Sequence, residues 1–334
     1  EDIGFEVESN MPQVAADFGF PPNSGDDDFF FDLQWGHNYV GAQESWTNGH
    51  RGQGVVVAVL DGGFDTDHPD LSSNIISTAD MTGQGVEYEC NDPFSHGTHV
   101  AGTIAGADNG FGIIGVAPEA SLMLVKVLDD VPAGGSCSGS GSFTNIINGI
   151  FYATNNGAHV INMSLGASIP RIGNKGANSA ISSLQNAVNK AITYAHQNGT
   201  TVIVSAGNAS TDLDGGDRSA VRFNTSMSHA VGISALAPEN WAANGNVPLD
   251  PAGYTNIGTS MVDFGAPGGD FDYPGNELCT VAGITRPCWL LDFVFSSGSL
   301  GGFYWSVGTS MASPHAAGVA ALIISETGDS TPAH

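Results

Sequence analysis

Three short segments carry the residue types needed for nucleophilic acyl transfer. Asp61 follows an apolar run, His96 stands in Ser-His-Gly-Thr-His, and Ser310 stands in Gly-Thr-Ser-Met-Ala-Ser-Pro. A serine hydroxyl is a weak nucleophile at neutral pH and needs an adjacent base, which a histidine can supply. A carboxylate on the far ring nitrogen would fix the tautomer and stabilise the imidazolium. Each residue alone would be a helix cap or turn former, so their joint occurrence carries the prediction.

The apolar runs between these segments predict the elements that must hold them. Unbroken runs at 55–60, 122–128, 160–163, 201–204 and 230–235 are typical of strands buried on both faces. Periodic apolar residues predict helices at 146–155 and 180–197, the second ending before Asn198-Gly199. This alternation predicts an α/β fold, a three-layer α/β/α sandwich with a mainly parallel central sheet. Functional residues should then lie at the carboxyl ends of its strands.

Composition limits the partners that this chain can have. The 334 residues include 8 Lys+Arg and 34 Asp+Glu, a formal net charge of −26 at pH 7. Such a charge repels nucleic-acid phosphates and anionic membrane surfaces, so neither is an expected partner. No run of 18 apolar residues occurs in the sequence, so no transmembrane helix is predicted.

The first 27 residues differ from the rest in pattern. They are polar, acidic and rich in Pro and Gly, and no period of 2 or 3.6 persists in them. We therefore expect residues 1–27 to be an acidic extension or the remnant of a pro-segment, and residues 28–334 to form one catalytic domain. The chain begins with Glu1 rather than Met, which suggests processing or excision.

The three segments, in the order Asp, His, Ser, resemble the subtilisin-like serine proteases, or subtilases, over about residues 28–324. The resemblance implies the subtilisin-like form of the sandwich and a serine endopeptidase. Asp61 would orient the imidazole ring of His96. His96 would be general base and acid, and Ser310 would be the nucleophile. The segment ending in Asn208 resembles the family's oxyanion segment, so Asn208 would donate its side-chain N–H to the tetrahedral intermediate. An α/β-hydrolase would instead need Gly-x-Ser-x-Gly and the serine first in chain order.

The resemblance also implies a substrate cleft. A peptide would add to 138–141 as an extra strand, Phe143 and Ile146 would line the S4 pocket, and 164–166 would form the opposite wall and part of S1. The expected substrate-binding residues are Ser138, Gly139, Ser140, Gly141, Phe143, Ile146, Ser164, Leu165 and Gly166. A neutral, glycine-lined S1 suggests a broad preference for apolar or aromatic P1 residues.

Calcium is the cofactor that the resemblance implies, in a structural role. The segment 107–116 resembles the family's calcium loop, and Asp and carbonyl oxygens are the ligands that Ca²⁺ prefers. The expected ligands are the side chains of Asp28, Asp70 and Asn109 and the carbonyl oxygens of Ala107, Phe111 and Ile113.

The four cysteines, Cys90, Cys137, Cys279 and Cys288, allow three disulfide connectivities by sequence alone. On the family fold Cys90 and Cys137 flank the cleft, so the resemblance implies 90–137 and 279–288. Two disulfides indicate an oxidising setting, so we expect a secreted, extracellular protein. The resemblance also implies a monomer whose pro-segment serves as intramolecular chaperone and inhibitor.

Two departures from the family and two alternatives remain open. Only 24 residues follow Ser310, so the C-terminal end is expected to be truncated, and the insertion at 271–300 has no assigned role. The chain could be a non-catalytic peptide-binding relative. It could also be a processing protease selective for basic residues. The acidic loop of Asp212, Asp214 and Asp217 would then bind those basic residues. The surplus of acidic residues suggests adaptation of a secreted protease to salt.

Overall fold

The computed structural model describes residues 3–5, 28–133, 136–170, 175–214, 220–223, 225–245, 247–271 and 275–332. Its helices are α1 Gly36–Tyr39, α2 Ala42–Thr47, α3 His96–Ala105, α4 Phe143–Asn155, α5 Lys175–Gln197, α6 Trp241–Asn244, α7 Cys288–Leu291 and α8 Thr309–Thr327, with a 3-10 turn at Phe31–Leu33. The first nine strands are β1 Ile3–Phe5, β2 Val56–Asp61, β3 Ile75–Asp80, β4 Ser121–Lys126, β5 Asp129–Ala133, β6 Ser136–Ser140, β7 Val160–Met163, β8 Ala167–Pro170 and β9 Thr201–Ser205. The remaining strands are β10 Ala220–Phe223, β11 Ala230–Ala237, β12 Asp250–Pro251, β13 Phe264–Pro267, β14 Leu278–Val281, β15 Ile284–Pro287, β16 Val294–Ser297 and β17 Phe303–Ser306.

The predicted mainly parallel central sheet is confirmed. It has eight strands in the order β12-β11-β9-β7-β2-β4-β3, with β13 also paired to β11. Every one of these pairings is parallel except that of β11 with the short β12. The carboxyl ends of the central strands therefore meet along one edge, where the chemistry of such folds gathers.

Alternate residues of β2 face two separate cores, which confirms the three layers. Val57 and Val59 pack in the core that also contains residues of α3 and α8. Ala58 and Leu60 pack in the second core, with residues of α4 and α5. Because both faces of the strand are covered, its sequence is an unbroken apolar run rather than an alternating one.

The two predicted helices form, but each begins earlier than its apolar period. The first begins at Phe143 because the Ser142 side chain caps it, accepting a hydrogen bond from the backbone N–H of Asn145 at 3.2 Å. The second begins at Lys175 and ends at Gln197, where Gly199 takes a left-handed φ of 84°. The expected helix end at Asn198-Gly199 is thus confirmed.

A second, antiparallel sheet follows the order β1-β17-β16. Strand β16 packs on α3, and β17 leads directly into α8. The insertion at 271–300 includes the β14–β15 hairpin, α7 and β16. Of the predicted N-terminal extension, residues 3–5 pair with 303–305, and residues 6–27 lie outside the described residues. The division at residues 27 and 28 stays a prediction.

No helix among the described residues has both the length and the apolarity needed to span a membrane.

Candidate active site

Asp61 and His96 meet at the carboxyl edge of the central sheet. Asp61 is the last residue of β2 and is 1% exposed. His96 is the first residue of α3, whose N-cap Ser95 accepts a hydrogen bond from the backbone N–H of Thr98. Asp61 Oδ1 lies 2.8 Å from His96 Nδ1. This is the contact that would fix the histidine tautomer.

Ser310 enters the same cleft from the start of α8. It is the second residue of that helix and lies two positions after the N-cap Gly308, whose φ of 152° favours glycine. Its hydroxyl donates to the carbonyl oxygen of Ser164 at 3.2 Å. Its own N–H lies in the first turn of the helix, at a position that has no intrahelical acceptor, and the helix N-terminus favours negative charge.

Asn208 is held by Thr309, a residue that the sequence analysis did not single out. Asn208 Oδ1 accepts hydrogen bonds from the backbone N–H of Thr309 at 2.9 Å and from its hydroxyl at 2.8 Å. The hydroxyl in turn accepts from the backbone N–H of Gly207 at 2.9 Å. Because the amide oxygen is engaged, the amide nitrogen is left to donate into the cleft. The signal was present in the Gly-Thr-Ser segment, where a threonine adjoins the candidate nucleophile.

These four residues line one cleft of about 370 Å³. Its walls also include five of the nine expected substrate-binding residues, namely Ser138, Gly139, Ser164, Leu165 and Gly166. Strand β6 pairs with β5 along 129–133 and 136–140, and these two strands form a sheet of their own among the described residues. The edge of β6 that faces away from β5 is where an extra strand would add.

The other four expected residues, Ser140, Gly141, Phe143 and Ile146, are not among those that line this cleft. Phe143 and Ile146 pack against the second core, and the ring of Phe143 lies 4.3 Å from that of Phe223. Their assignment to S4 stays a prediction.

Three further lining residues, Tyr88, Phe94 and Leu128, were missed by the sequence analysis. The ring of Phe94 lies edge-on to that of His96, with centroids 6.3 Å apart. The Tyr88 hydroxyl donates to the carboxylate of Asp92 at 3.0 Å. Tyr88 and Phe94 lie in the irregular segment before α3, where no periodic pattern marks a side chain as facing a cleft.

The structure brings the predicted calcium loop onto the two expected carboxylates. Asp28 Oδ1 accepts from the backbone N–H of Gly110 at 2.7 Å, and Asp70 Oδ2 accepts from that of Ile113 at 2.9 Å. The side-chain N–H of Asn109 donates to Asp70 Oδ1 at 3.3 Å. Both carboxylates are buried. Ala107, Phe111 and Ile113, the expected carbonyl ligands, belong to this same loop.

The electrostatics of this loop suit a bound cation. Burial raises the pKa of Asp70 well above its usual range, and the nearby charge of Asp28 adds to the rise. A Cβ at Gly112 would overlap the Asp70 carboxylate, so the loop closes around that group only with glycine there. Two buried carboxylates and an amide oxygen are the ligand types that Ca²⁺ prefers, so the residues present fit the ion.

Both disulfides implied by the family resemblance are confirmed. Cys90 and Cys137 are bonded with their Cα atoms 6.0 Å apart, and Cys279 and Cys288 with theirs 4.9 Å apart. The first bond joins the segment before α3 to β6, and Cys137 itself lines the cleft. The second joins the start of the β14–β15 hairpin to α7.

The described part of the acidic loop at 212–217 does not line the cleft. Asp214 accepts a hydrogen bond from the Thr259 hydroxyl at 2.8 Å and also bonds Ser260. Neither Asp212 nor Asp214 lines the cleft, and Asp217 lies outside the described residues.

Comparison with known proteins gives relatives over most of the chain. The major intracellular serine protease of Bacillus subtilis is 35% identical over 295 residues, which cover 87% of this chain and 75% of that protein. Thermitase of Thermoactinomyces vulgaris is 31% identical over 308 residues, covering 92% and 86%. Subtilisin E of Bacillus subtilis is 35% identical over 297 residues, covering 88% of this chain, but the match spans only 61% of that protein's length.

Solved structures share the fold. The nisin leader peptidase NisP from Lactococcus lactis superposes with a TM-score of 0.70 at 22% identity, over 91% of this chain and 86% of that one. A protease from Pseudoalteromonas arctica superposes with a TM-score of 0.65 at 31% identity, over 91% and 88%. The family model described as the subtilase family matches residues 52–334, a span that includes β2, α3 and α8 and the cleft between them. This chain therefore belongs to the subtilases, a family of serine endopeptidases.

Proposed function

We propose that this protein hydrolyses peptide bonds of proteins through Asp61, His96 and Ser310, by way of an acyl-enzyme. The observation that carries the proposal is the 2.8 Å contact between Asp61 Oδ1 and His96 Nδ1, in a cleft that Ser310 shares. With Nδ1 donating to the carboxylate, His96 Nε2 would take the proton of the Ser310 hydroxyl as it attacks the scissile carbonyl. His96 then gives that proton to the leaving amine, and water hydrolyses the ester by the same steps.

Two N–H donors would stabilise the oxyanion of each tetrahedral intermediate. They are the side-chain amide of Asn208 and the backbone N–H of Ser310, at the N-terminus of α8. Thr309 supports the first donor because its two hydrogen bonds fix the orientation of the Asn208 amide before substrate binds. Donors already oriented lose no free energy to reorganisation when the charge develops.

Substrate would bind as an extended peptide along β6. A Cβ at Gly139 would lie 3.0 Å from Leu128. Glycine at this position therefore lets the strand pack closely against Leu128. The cleft walls include Leu165, Val307 and Met311, which supports a broad preference for apolar or aromatic P1 residues.

The two alternatives have less support. A non-catalytic peptide-binding relative would be expected to lack one of Asp61, His96, Ser310 and Asn208, and this chain has all four. A processing protease that reads basic residues would need free carboxylates in its pockets. The described part of the acidic loop lies away from the cleft, and Asp214 is engaged by Thr259 and Ser260.

The proposal extends to a structural calcium ion and to secretion. Asp28, Asp70 and Asn109 would hold the ion with carbonyl oxygens of 107–113, and the ion would neutralise two buried carboxylates. Two disulfides favour an extracellular location, although one relative is named as intracellular. The proposed protein is a monomer, and its pro-segment assists its folding.

Active-site labelling tests the assignment directly. A fluorophosphonate should modify the purified, folded protein at Ser310, and Ser310→Ala should abolish both labelling and peptide hydrolysis. Ser313→Ala is a matched control, because Ser313 is on the same helix but is buried and should leave labelling intact. A peptide library then gives the P1 preference. Failure of the folded wild-type protein to label would refute the proposal.

A further inference from the structure

A buried ion pair lies beside the strand end that carries Asp61. Lys126 is the last residue of β4 and is paired in register with Asp61 of β2. Its Nζ lies 2.7 Å from Asp130 Oδ2, and the two side chains are 0% and 4% exposed. Removing two charges from water costs free energy that their mutual attraction rarely recovers in full. Stability alone therefore does not account for this pair.

The Asp130 carboxylate ties together three segments of the cleft. Its Oδ1 accepts from the backbone N–H of Gly63 at 3.0 Å, and its Oδ2 accepts from that of Glu89 at 3.0 Å. Lys126 Nζ also donates to the carbonyl oxygen of Glu87 at 3.1 Å. The joined segments are the turn after Asp61, the loop that leads to the 90–137 disulfide, and β5.

Close approach at this point requires glycine. A Cβ at Gly63 would lie 2.6 Å from the Cα of Tyr88 and would overlap the Asp130 carboxylate. The turn after Asp61 is thus built from Gly62 and Gly63, the residue type with the largest backbone freedom. Hydrogen bonds to fixed partners therefore restrict this backbone, whose residues alone do not.

The Gly62-Gly63 turn also orients the Asp61 carboxylate. The backbone N–H of Gly62 donates to Asp61 Oδ1 at 2.7 Å, and the same oxygen receives the His96 ring at 2.8 Å. Asp61 Oδ2 has no hydrogen-bond partner among the described residues. The direction of the carboxylate therefore depends on the peptides of Gly62 and Gly63, and the second of these is held by Asp130.

We propose that Asp130 and Lys126 are positioning residues for catalysis. Asp130 fixes the Gly62-Gly63 turn so that Asp61 stays aligned with His96 Nδ1, and Lys126 neutralises and aims the Asp130 carboxylate. The inference rests on the proposed function, because it requires His96 to be the base. A catalytic group displaced by about 1 Å can cost about 100-fold in rate, so loosening this turn should lower kcat by roughly 10- to 100-fold.

The test separates positioning from stability by replacing the whole pair. Asp130→Ala leaves a buried, unpaired Lys126 and can unfold the protein, so the main variant is Lys126→Met with Asp130→Leu, which removes both charges and keeps the branching of each side chain. Asp129→Ala is the matched control. It changes the same residue type on the same strand, and Asp129 is not among the residues lining the cleft.

Rates are measured per active site, with sites counted by fluorophosphonate labelling. For the double variant we expect a folded protein whose kcat is 10- to 100-fold lower, with KM changed less than threefold and Asp129→Ala unaffected. The acid limb of kcat/KM should also move to lower pH, because a misaligned Asp61 stabilises protonated His96 less. In an Asp61→Asn background the double variant should lose no further activity, because the pair acts through Asp61.

Two results would overturn the inference. One is a folded double variant with wild-type kcat per labelled site. The other is the same fold-loss in the Asp61→Asn background as in the wild type, which would show that the pair acts independently of Asp61. Absence of hydrolysis by the labelled wild-type protein would instead refute the proposed function on which the inference rests.

Discussion

Thr309 holds Asn208 through two hydrogen bonds to a single oxygen. Its backbone N–H and its hydroxyl both donate to Asn208 Oδ1, at 2.9 and 2.8 Å. The residue next to the candidate nucleophile thus also fixes the candidate oxyanion donor. One short segment at the start of α8 therefore sets the relative position of nucleophile and donor.

Removing the oxyanion donor should lower kcat more than loosening it. Asn208→Leu should reduce kcat by roughly 10²–10³-fold with KM nearly unchanged, because the donor acts on charge that develops in the transition state. Thr309→Val keeps the backbone bond and loses the hydroxyl bond, so we expect about a tenfold loss, or about 1.4 kcal/mol. Steady-state kinetics on one peptide substrate measures both effects.

The double variant of Asn208 and Thr309 is the control for this prediction. If Thr309 acts by orienting Asn208, Thr309→Val should have little effect once Asn208 is leucine. Additive losses would contradict the prediction and would mean that the threonine hydroxyl contributes by another route.

Four buried histidines should make the fold sensitive to acid. Burial lowers the pKa of His37 and His99 to about 3 and that of His68 and His315 to about 4. The folded protein keeps these rings neutral below the ordinary histidine pKa of about 6.5, whereas the unfolded chain protonates them. At these sites the unfolded state binds more protons, so their contribution to the free energy of unfolding falls as pH drops below about 6.5, by about 1.4 kcal/mol per pH unit for each histidine. Buried carboxylates whose pKa values are raised contribute with the opposite sign and make the net slope smaller.

Urea unfolding at pH 7, 6 and 5 measures that slope. His37→Phe should make this slope smaller, because one titrating histidine is removed while the ring contacts with Phe31 and Trp46 can persist. Trp46→Phe disturbs the same aromatic cluster without removing a proton site and should leave the slope as it is. An unchanged slope in His37→Phe would contradict the prediction.

Calcium removal should destabilise the protein through the Asp28 and Asp70 pair. A ligand at 100 times its Kd adds about 2.7 kcal/mol to the free energy of unfolding. For a chain of this size we expect chelation to lower Tm by about 5 °C, measured by calorimetry before and after addition of a chelator. Asp70→Asn should lose most of this response, since it removes one of two buried carboxylates.

A matched control for the calcium prediction is Asp80→Asn, another acidic residue held in its loop by backbone N–H groups. Asp80 accepts from Thr82, Gly83 and Gly85 and lies outside the 107–116 loop. It should keep the full response to the chelator. A Tm that does not move in wild-type protein would refute the calcium site.

The two disulfides should contribute unequally to stability. The 90–137 bond closes a loop of 47 residues and the 279–288 bond one of 9. On the chain-entropy model, closing these loops adds about 4 and about 2.6 kcal/mol, respectively, to the free energy of unfolding. Paired Cys→Ser variants should therefore lower the free energy of unfolding more at 90–137, and only that pair should also raise KM, because Cys137 lines the cleft. Equal destabilisation in urea melts, or an unchanged KM, would contradict this.

The elements with strong local patterns could be predicted from the sequence, and the irregular cleft wall could not. Strand β2 was predicted because burial on both faces makes 55–60 an unbroken apolar run. Strand β5 was missed because its sequence shows no apolar alternation, and the edge strand at 138–141 was implied only by the family resemblance. Hydrogen bonds between β5 and β6 and the 90–137 disulfide hold this hairpin in place of an apolar face. Asp130 is an acidic residue, and its sequence context predicts exposure to solvent. It is instead a buried acceptor, because the backbone N–H groups of Gly63 and Glu89, far away in the sequence, donate to its carboxylate.

Salt should stabilise this protein, because it carries a formal net charge of −26. Repulsion between surface carboxylates destabilises the compact state, and the Debye length shortens from about 30 Å at 0.01 M salt to about 3 Å at 1 M. We expect Tm to rise steadily from low to molar NaCl at fixed calcium. Neutralising the exposed acids Glu239, Asp250 and Glu326 as amides should raise Tm at low salt and flatten the dependence. A Tm that falls with salt, or a slope unchanged in this variant, would show that charge repulsion does not limit stability.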